Sequence, residues 1–161
     1  MIKYFFIFIS FCQFQIFGQS NTANNLGHDE LFQKINNTKD ITKKIHYSLD
    51  LVQLAKNENN KEHLITGYYL LSLFHKDNRV KKYSDSIIAI TKNSPNKYFP
   101  GSSYFVLGNH FYDLRNFKSA YDNYLLAKIT ATENDNPEFV FKANQSVANL
   151  KARIEDYEGA L

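Results

Sequence analysis

The chain has 161 residues, 43% hydrophobic and 16% aromatic, enough apolar material for a packed core and too much for a disordered tail. Its formal charge of +3 is spread over interspersed basic and acidic residues, too mild and scattered a balance for a nucleic-acid surface. A single cysteine, Cys12, excludes an intrachain disulfide.

The N-terminus reads as a targeting segment rather than part of the fold. Lys3 is a short positive region, Tyr4 to Phe11 an apolar one, and Gln13 to Phe17 a mixed stretch ending at Gly18. This is the pattern of a secretory signal peptide cut after about Gly18, which predicts an exported, periplasmic protein. The apolar run is shorter than the roughly 20 residues a membrane span needs, and Gln13 and Gln15 interrupt it. An uncleaved anchor in the inner membrane is the alternative. Phe11 is too bulky a neighbour for Cys12 to be a lipidation site, and Ile16 leaves the exact cut open. Removal of residues 1–18 takes Cys12 with it and leaves no thiolate for catalysis or metal binding.

Residues 19–28 are polar and aperiodic, a flexible lead-in. Beyond them the apolar period stays close to 3.6, and no alternating run is long enough for a strand. The first helix is expected over about Asp29–Asn36, with Leu31, Phe32 and Ile35 inward. The second spans about Asp40–Asn57, with Ile41, Ile45, Leu49, Val52 and Ala55 as its apolar row. The third spans Lys61–Lys76 (Leu64, Tyr68, Leu71, Phe74) and the fourth Arg79–Lys92 (Val80, Tyr83, Ile87, Ile90). Ser94-Pro95 and Pro100-Gly101 bracket a loop. The fifth covers Ser102–Leu114 and the sixth Phe117–Thr132. Pro137 opens the seventh, with Asn136 as its N-cap, running to about Ile154. An eighth starts near Asp156. Helices of this length joined by short turns predict an all-α chain of antiparallel hairpins, each burying its apolar face against its neighbours.

The fifth and sixth helices carry a specific pattern. Tyr104, Leu107, Gly108 and Phe111 are followed by Asn116-Phe117, Ala120, Tyr124 and Ala127. This resembles the tetratricopeptide repeat, a 34-residue helix-turn-helix unit. In that unit an aromatic, Leu, Gly and aromatic stand at positions 4, 7, 8 and 11, small residues at 20 and 27, and an aromatic at 24. Counted from Gly101, all seven fit. The small residues Gly108 and Ala120 are expected where the two helices touch, with the larger side chains filling the space around them. Residues 101–134 form this repeat, and 137–161 read as a second, truncated one. There Val147-Ala148 take the Leu-Gly places, and Asp156-Tyr157 and Ala160 match the start of a second repeat helix. Asn144 and Lys151 stand where aromatics belong, and the step from Gly108 to Ala148 is lengthened to 40 residues. Upstream, over 29–100, Tyr68, Leu71, Ser72, Ser84 and Ile88 align at a step of 36, the mark of divergent helical hairpins.

The resemblance implies an α-solenoid with a groove lined by positions 2, 5, 9, 12 and 13 of each unit's first helix. These are Ser102, Phe105, Asn109, Tyr112 and Asp113, then Lys142, Gln145, Asn149, Ala152 and Arg153. Phe105 and Tyr112 are candidate aromatic anchors for a protein or peptide partner, and Asn109 and Asn149 candidate amide contacts. Both asparagines are equally readable as solvated helix residues in an Asn-rich chain. The stretch from Tyr98 to Leu161, with Tyr98-x-Pro100-Gly101, Asn116-Phe117-Lys118-Ser119-Ala120 and Ile154 to Leu161, is also similar in texture to exported repeat regions of bacterial signalling and transcription-regulator proteins. That likeness implies a sensing or scaffolding segment whose membrane attachment lies further along. A break at Leu161, early in an eighth helix, fits a fragment of a longer chain. A free-standing periplasmic scaffold is the other reading.

No constellation points to chemistry. The five histidines, His28, His46, His63, His75 and His110, include no pair spaced to ligate metal from one helix face. His28 with Asp29 and Glu30 is the nearest to a metal group. Glycine-rich phosphate loops and nucleophile elbows are missing from the sequence. No catalytic residue, cofactor or metal is expected, and the expected role is protein binding.

Overall fold

The computed structural model describes residues 27–158, with side chains through Glu155. The targeting segment, nearly all of the lead-in, and the Ala160 position lie outside the described residues. Within them the chain is all-α: α1 His28–Asn37, α2 Ile41–Asn57, α3 Lys61–Phe74, α4 Arg79–Thr91, α5 Gly101–Asp113, α6 Phe117–Glu133 and α7 Pro137–Glu158. Each helix packs on the next, and α3–α5 and α5–α7 touch more lightly. None of these helices is long and apolar enough to cross a membrane.

Three of the turns share one construction. Asn59, Arg115 and Asp135 each adopt positive φ, at 53°, 57° and 50°. The asparagine that follows donates its backbone N–H five residues back: Asn60 to Ala55 at 2.8 Å, Asn116 to Phe111 at 2.9 Å and Asn136 to Ala131 at 2.8 Å. Its side chain then caps the next helix, accepting from His63, Ser119 and Phe139 respectively. One left-handed residue ends a helix and the next residue starts another, so loop length is minimal. The connection between α4 and α5 is longer, and the buried Asn136 also holds it by donating to the Lys97 carbonyl at 2.9 Å.

Two clusters of buried side chains stand out among the described residues. Leu31, Ile35 and Leu51 join α1 to α2. Ala120, Tyr124 and Leu150 join α5, α6 and α7, with Phe105, Phe111, Phe117 and Val147 packed around them.

Two expectations need correction. In α2 the row Ile41, Ile45, Leu49 is not the buried one: Ile41 is 50% and Leu49 44% exposed, while Ser48, Leu51, Val52 and Ala55 are buried. Closest approach chooses the face. A Cβ on the buried Gly67 of α3 would stand 2.7 Å from Val52 Cγ2 and 3.6 Å from the Ser48 carbonyl, so α2 and α3 meet along their small residues. The second concerns Asp156. Instead of starting an eighth helix it lies within α7, which runs unbroken from Pro137 to Glu158. A turn here of the same kind as the other three would put Glu155 in the left-handed region. Continuing the helix satisfies the backbone without that strain.

Candidate functional site

The motif residues of α5 and α6 form one packed unit. Leu107, Gly108, Ala120, Tyr124 and Ala127 are buried, and Tyr104, Phe111 and Phe117 are half-buried. The surface of Gly108 is filled by a ring rather than by a facing helix backbone: a Cβ there would overlap Cδ1 and Cε1 of Tyr124. The phenol of Tyr124 extends past the glycine and donates to Asn109 Oδ1 at 2.8 Å. Burial, reinforced by the negative charge of Asp113, pushes the Tyr124 pKa up to about 12, so the O–H stays a donor at neutral pH.

The expected groove residues separate into three groups. Phe105 and Tyr112 are packing residues. Phe105 lies 5.7 Å from the rings of Tyr124 and Phe139, and Tyr112 5.9 Å from Phe117. Ser102 is buried and donates to the Tyr98 carbonyl at 2.8 Å. Asn109 and Asp113 are exposed and face a cleft. On α7, Lys142 pairs with Glu138 at 2.6 Å and lies over the Phe139 ring, while Gln145, Asn149, Ala152 and Arg153 lie along an exposed face outside that cleft.

The cleft has a volume of about 220 Å³ and lies between α3, the start of α4, and α5. Ser72, Leu73, His75, Lys76 and Val80 line one side, and Val106, Asn109, His110 and Asp113 the other. Its buried lining is mixed, Val80 and Val106 beside Ser72, His75 and His110, and Leu73 stands 49% exposed at its wall. Both imidazoles are largely buried. Burial, then the Arg79 charge, holds His75 below the ordinary imidazole range, so it is neutral at pH 7. Arg79 itself is committed to Asp77, at 2.6 Å. Lys76 and Asp113 form no ion pair among the described residues. The Ser72 hydroxyl donates to the Tyr69 carbonyl at 2.7 Å and is not aligned with either imidazole as a nucleophile would be. The arrangement suits holding a side chain and its neighbouring polar groups.

Leu73, His75, Lys76 and His110 are not among the expected groove residues. The 36-residue step that aligns Ser72 with Gly108 also aligns Leu73 with Asn109, and Asp77 with Asp113, so the sequence does hold a signal for the α3 wall. A second pocket, of about 180 Å³, is bordered by Ile88, Pro95, Pro100, Tyr104 and Thr130.

His28 belongs to the first turn of α1 rather than to the lead-in. Its Nε2 lies 2.6 Å from Glu58 and its ring 3.8 Å from that of His63. The two rings are tilted 35° to each other, and Asp29 and Glu30 are exposed. No group of three or more His, Cys, Asp or Glu among the described residues is placed to hold a metal ion.

No family model matches the chain, and neither a curated protein nor a solved structure matches it.

Proposed function

We propose that this chain is a non-enzymatic, tetratricopeptide-type α-solenoid that binds a protein or peptide partner in the cleft between α3 and α5. In this reading α3–α4 and α5–α6 are successive hairpins, and the cleft lies between their first helices. The observation that carries it is the exposed Leu73 over a floor of Val80 and Val106, ringed by hydrogen-bonding groups. A concave recess in which aliphatic surface meets convergent polar groups can fix the orientation of a bound segment. Supporting the repeat reading, Ser72 and Ser84 are buried at the places that Gly108 and Ala120 occupy one step later. The proposed setting is the exported sensing or scaffolding segment of a longer bacterial signalling protein, on the texture of Tyr98 to Leu161. A free-standing periplasmic scaffold fits the same binding role.

The test is a peptide array probed with the wild-type protein and with Leu73→Glu, an exposed position where the change should leave the melting temperature almost unaltered. Binding that disappears in Leu73→Glu supports the reading. A blank array, or binding indifferent to that substitution, contradicts it.

A further inference from the structure

The polarity of the cleft is set from behind. Because Tyr124 donates to Asn109 Oδ1, one lone pair of that oxygen is taken, while both N–H groups of Nδ2 are left to a ligand. Asn109 therefore acts in the cleft as a donor. Lys76 on the opposite wall is a donor as well, and it is charged. Asp113 accepts, as a peptide N–H requires. Between these groups lies the aliphatic surface of Leu73 and Val106.

We infer that the cleft selects an internal peptide segment in which an aliphatic side chain neighbours an aspartate or glutamate. The aliphatic side chain covers Leu73 and Val106, a ligand carbonyl accepts from Asn109 Nδ2, and the acidic side chain pairs with Lys76. Asp113 opposes a second acidic residue on its own wall and receives a ligand backbone N–H. A basic residue in place of the acidic one would meet Lys76 unpaired, a mismatch that costs affinity. This inference rests on the cleft being the peptide site proposed above.

The experiment uses the full chain and three fluorescent peptides, N-acetylated and C-amidated so that no terminal charge contributes. They differ only in a central Leu-Glu, Leu-Gln or Leu-Lys pair within a Gly-Ser background. Leu-Glu should bind tightest, and Lys76→Glu should reverse the order of Leu-Glu and Leu-Lys. Asn109→Asp keeps an oxygen for Tyr124 but replaces the donor with a negative charge, so loss of the donor is read on the uncharged Leu-Gln peptide, which should weaken about tenfold. Preference for Leu-Lys, still abolished by Leu73→Glu, would overturn the inferred specificity and leave the cleft as a peptide site. Failure of all three to bind, while array peptides bind in a Leu73-dependent way, would do the same. Failure of all three together with a blank array would overturn the peptide site itself.

Discussion

The Tyr124 hydroxyl donates to Asn109 Oδ1 at 2.8 Å, and the same ring covers the surface of Gly108. A residue expected only to pack thus reaches through a glycine-sized gap and orients a residue lining the cleft. Tyr124→Phe should cost about 1 kcal/mol or less, since the exposed Asn109 recovers water as a partner. The dependence on pH has a definite sign. The folded-state pKa is raised from 10.0 to about 12, so the phenol's contribution is complete below pH 10 and is lost as the pH rises from about 10 to about 12. Melting curves of wild type and Tyr124→Phe should converge over that interval and then cross, because the buried phenolate costs the wild type more than the hydroxyl contributes.

Gly108→Ala places a methyl into the Tyr124 ring. The gain in helix propensity is about 1 kcal/mol, and forcing a buried ring aside costs about 1–3 kcal/mol, so the variant should be destabilised overall. Gly67→Ala meets a single Val52 methyl at 2.7 Å and should be the milder of the two. Denaturant titration of both variants checks the order.

Arg115 holds φ at 57°, a conformation that costs an L-residue roughly 1–2 kcal/mol. Arg115→Gly removes that strain in a turn whose hydrogen bonds come from the backbone, and should raise the midpoint of unfolding. A fall in the midpoint would show that the guanidinium makes contacts outweighing the strain.

Asn136 is buried and joins two places at once, donating to the Lys97 carbonyl and accepting from the Phe139 N–H. Asn136→Ala should cost about 1–3 kcal/mol. It should also raise amide exchange around Lys97, which separates the loss of the loop tie from the loss of the cap at α7.

Asp77 has its carboxyl held well below the ordinary carboxylate range, first by the side-chain hydrogen bonds from Arg79 and then by the Arg79 backbone N–H at 2.9 Å. Its contribution is present above the ordinary carboxylate value and is lost as the pH falls through the lowered one. Asp77→Asn should therefore narrow the stability difference from wild type only in strong acid, as melting curves taken down the pH scale would show.

Helix positions are legible in the sequence because capping chemistry is local. Asp40, Asn60, Asn116 and Asn136 each accept from a backbone N–H of the turn that follows. The buried face of α2 is legible only at its C-terminal half, where Val52 and Ala55 are buried as expected; further back the contact follows Gly67 on another helix, while the sequence pattern favours the bulkier Ile41 and Leu49. Position alone places Asn109 and Asp113 at an exposed cleft, but Phe105 and Tyr112 turn inward. Their partners Phe139, Tyr124 and Phe117 lie on α6 and α7, and nothing local announces that packing. The α3 wall is hard to read because its alignment is degenerate, with Ser72 standing where Gly108 stands one step later.

Whether a partner sits between α3 and α5 is best decided by the change in backbone amide NMR shifts of the labelled protein as a binding peptide is added. Shifts should concentrate at residues 72–80 and 106–113. Shifts centred instead on the pocket at Pro95, Tyr104 and Thr130, or along the exposed face of α7, would contradict a partner in that cleft.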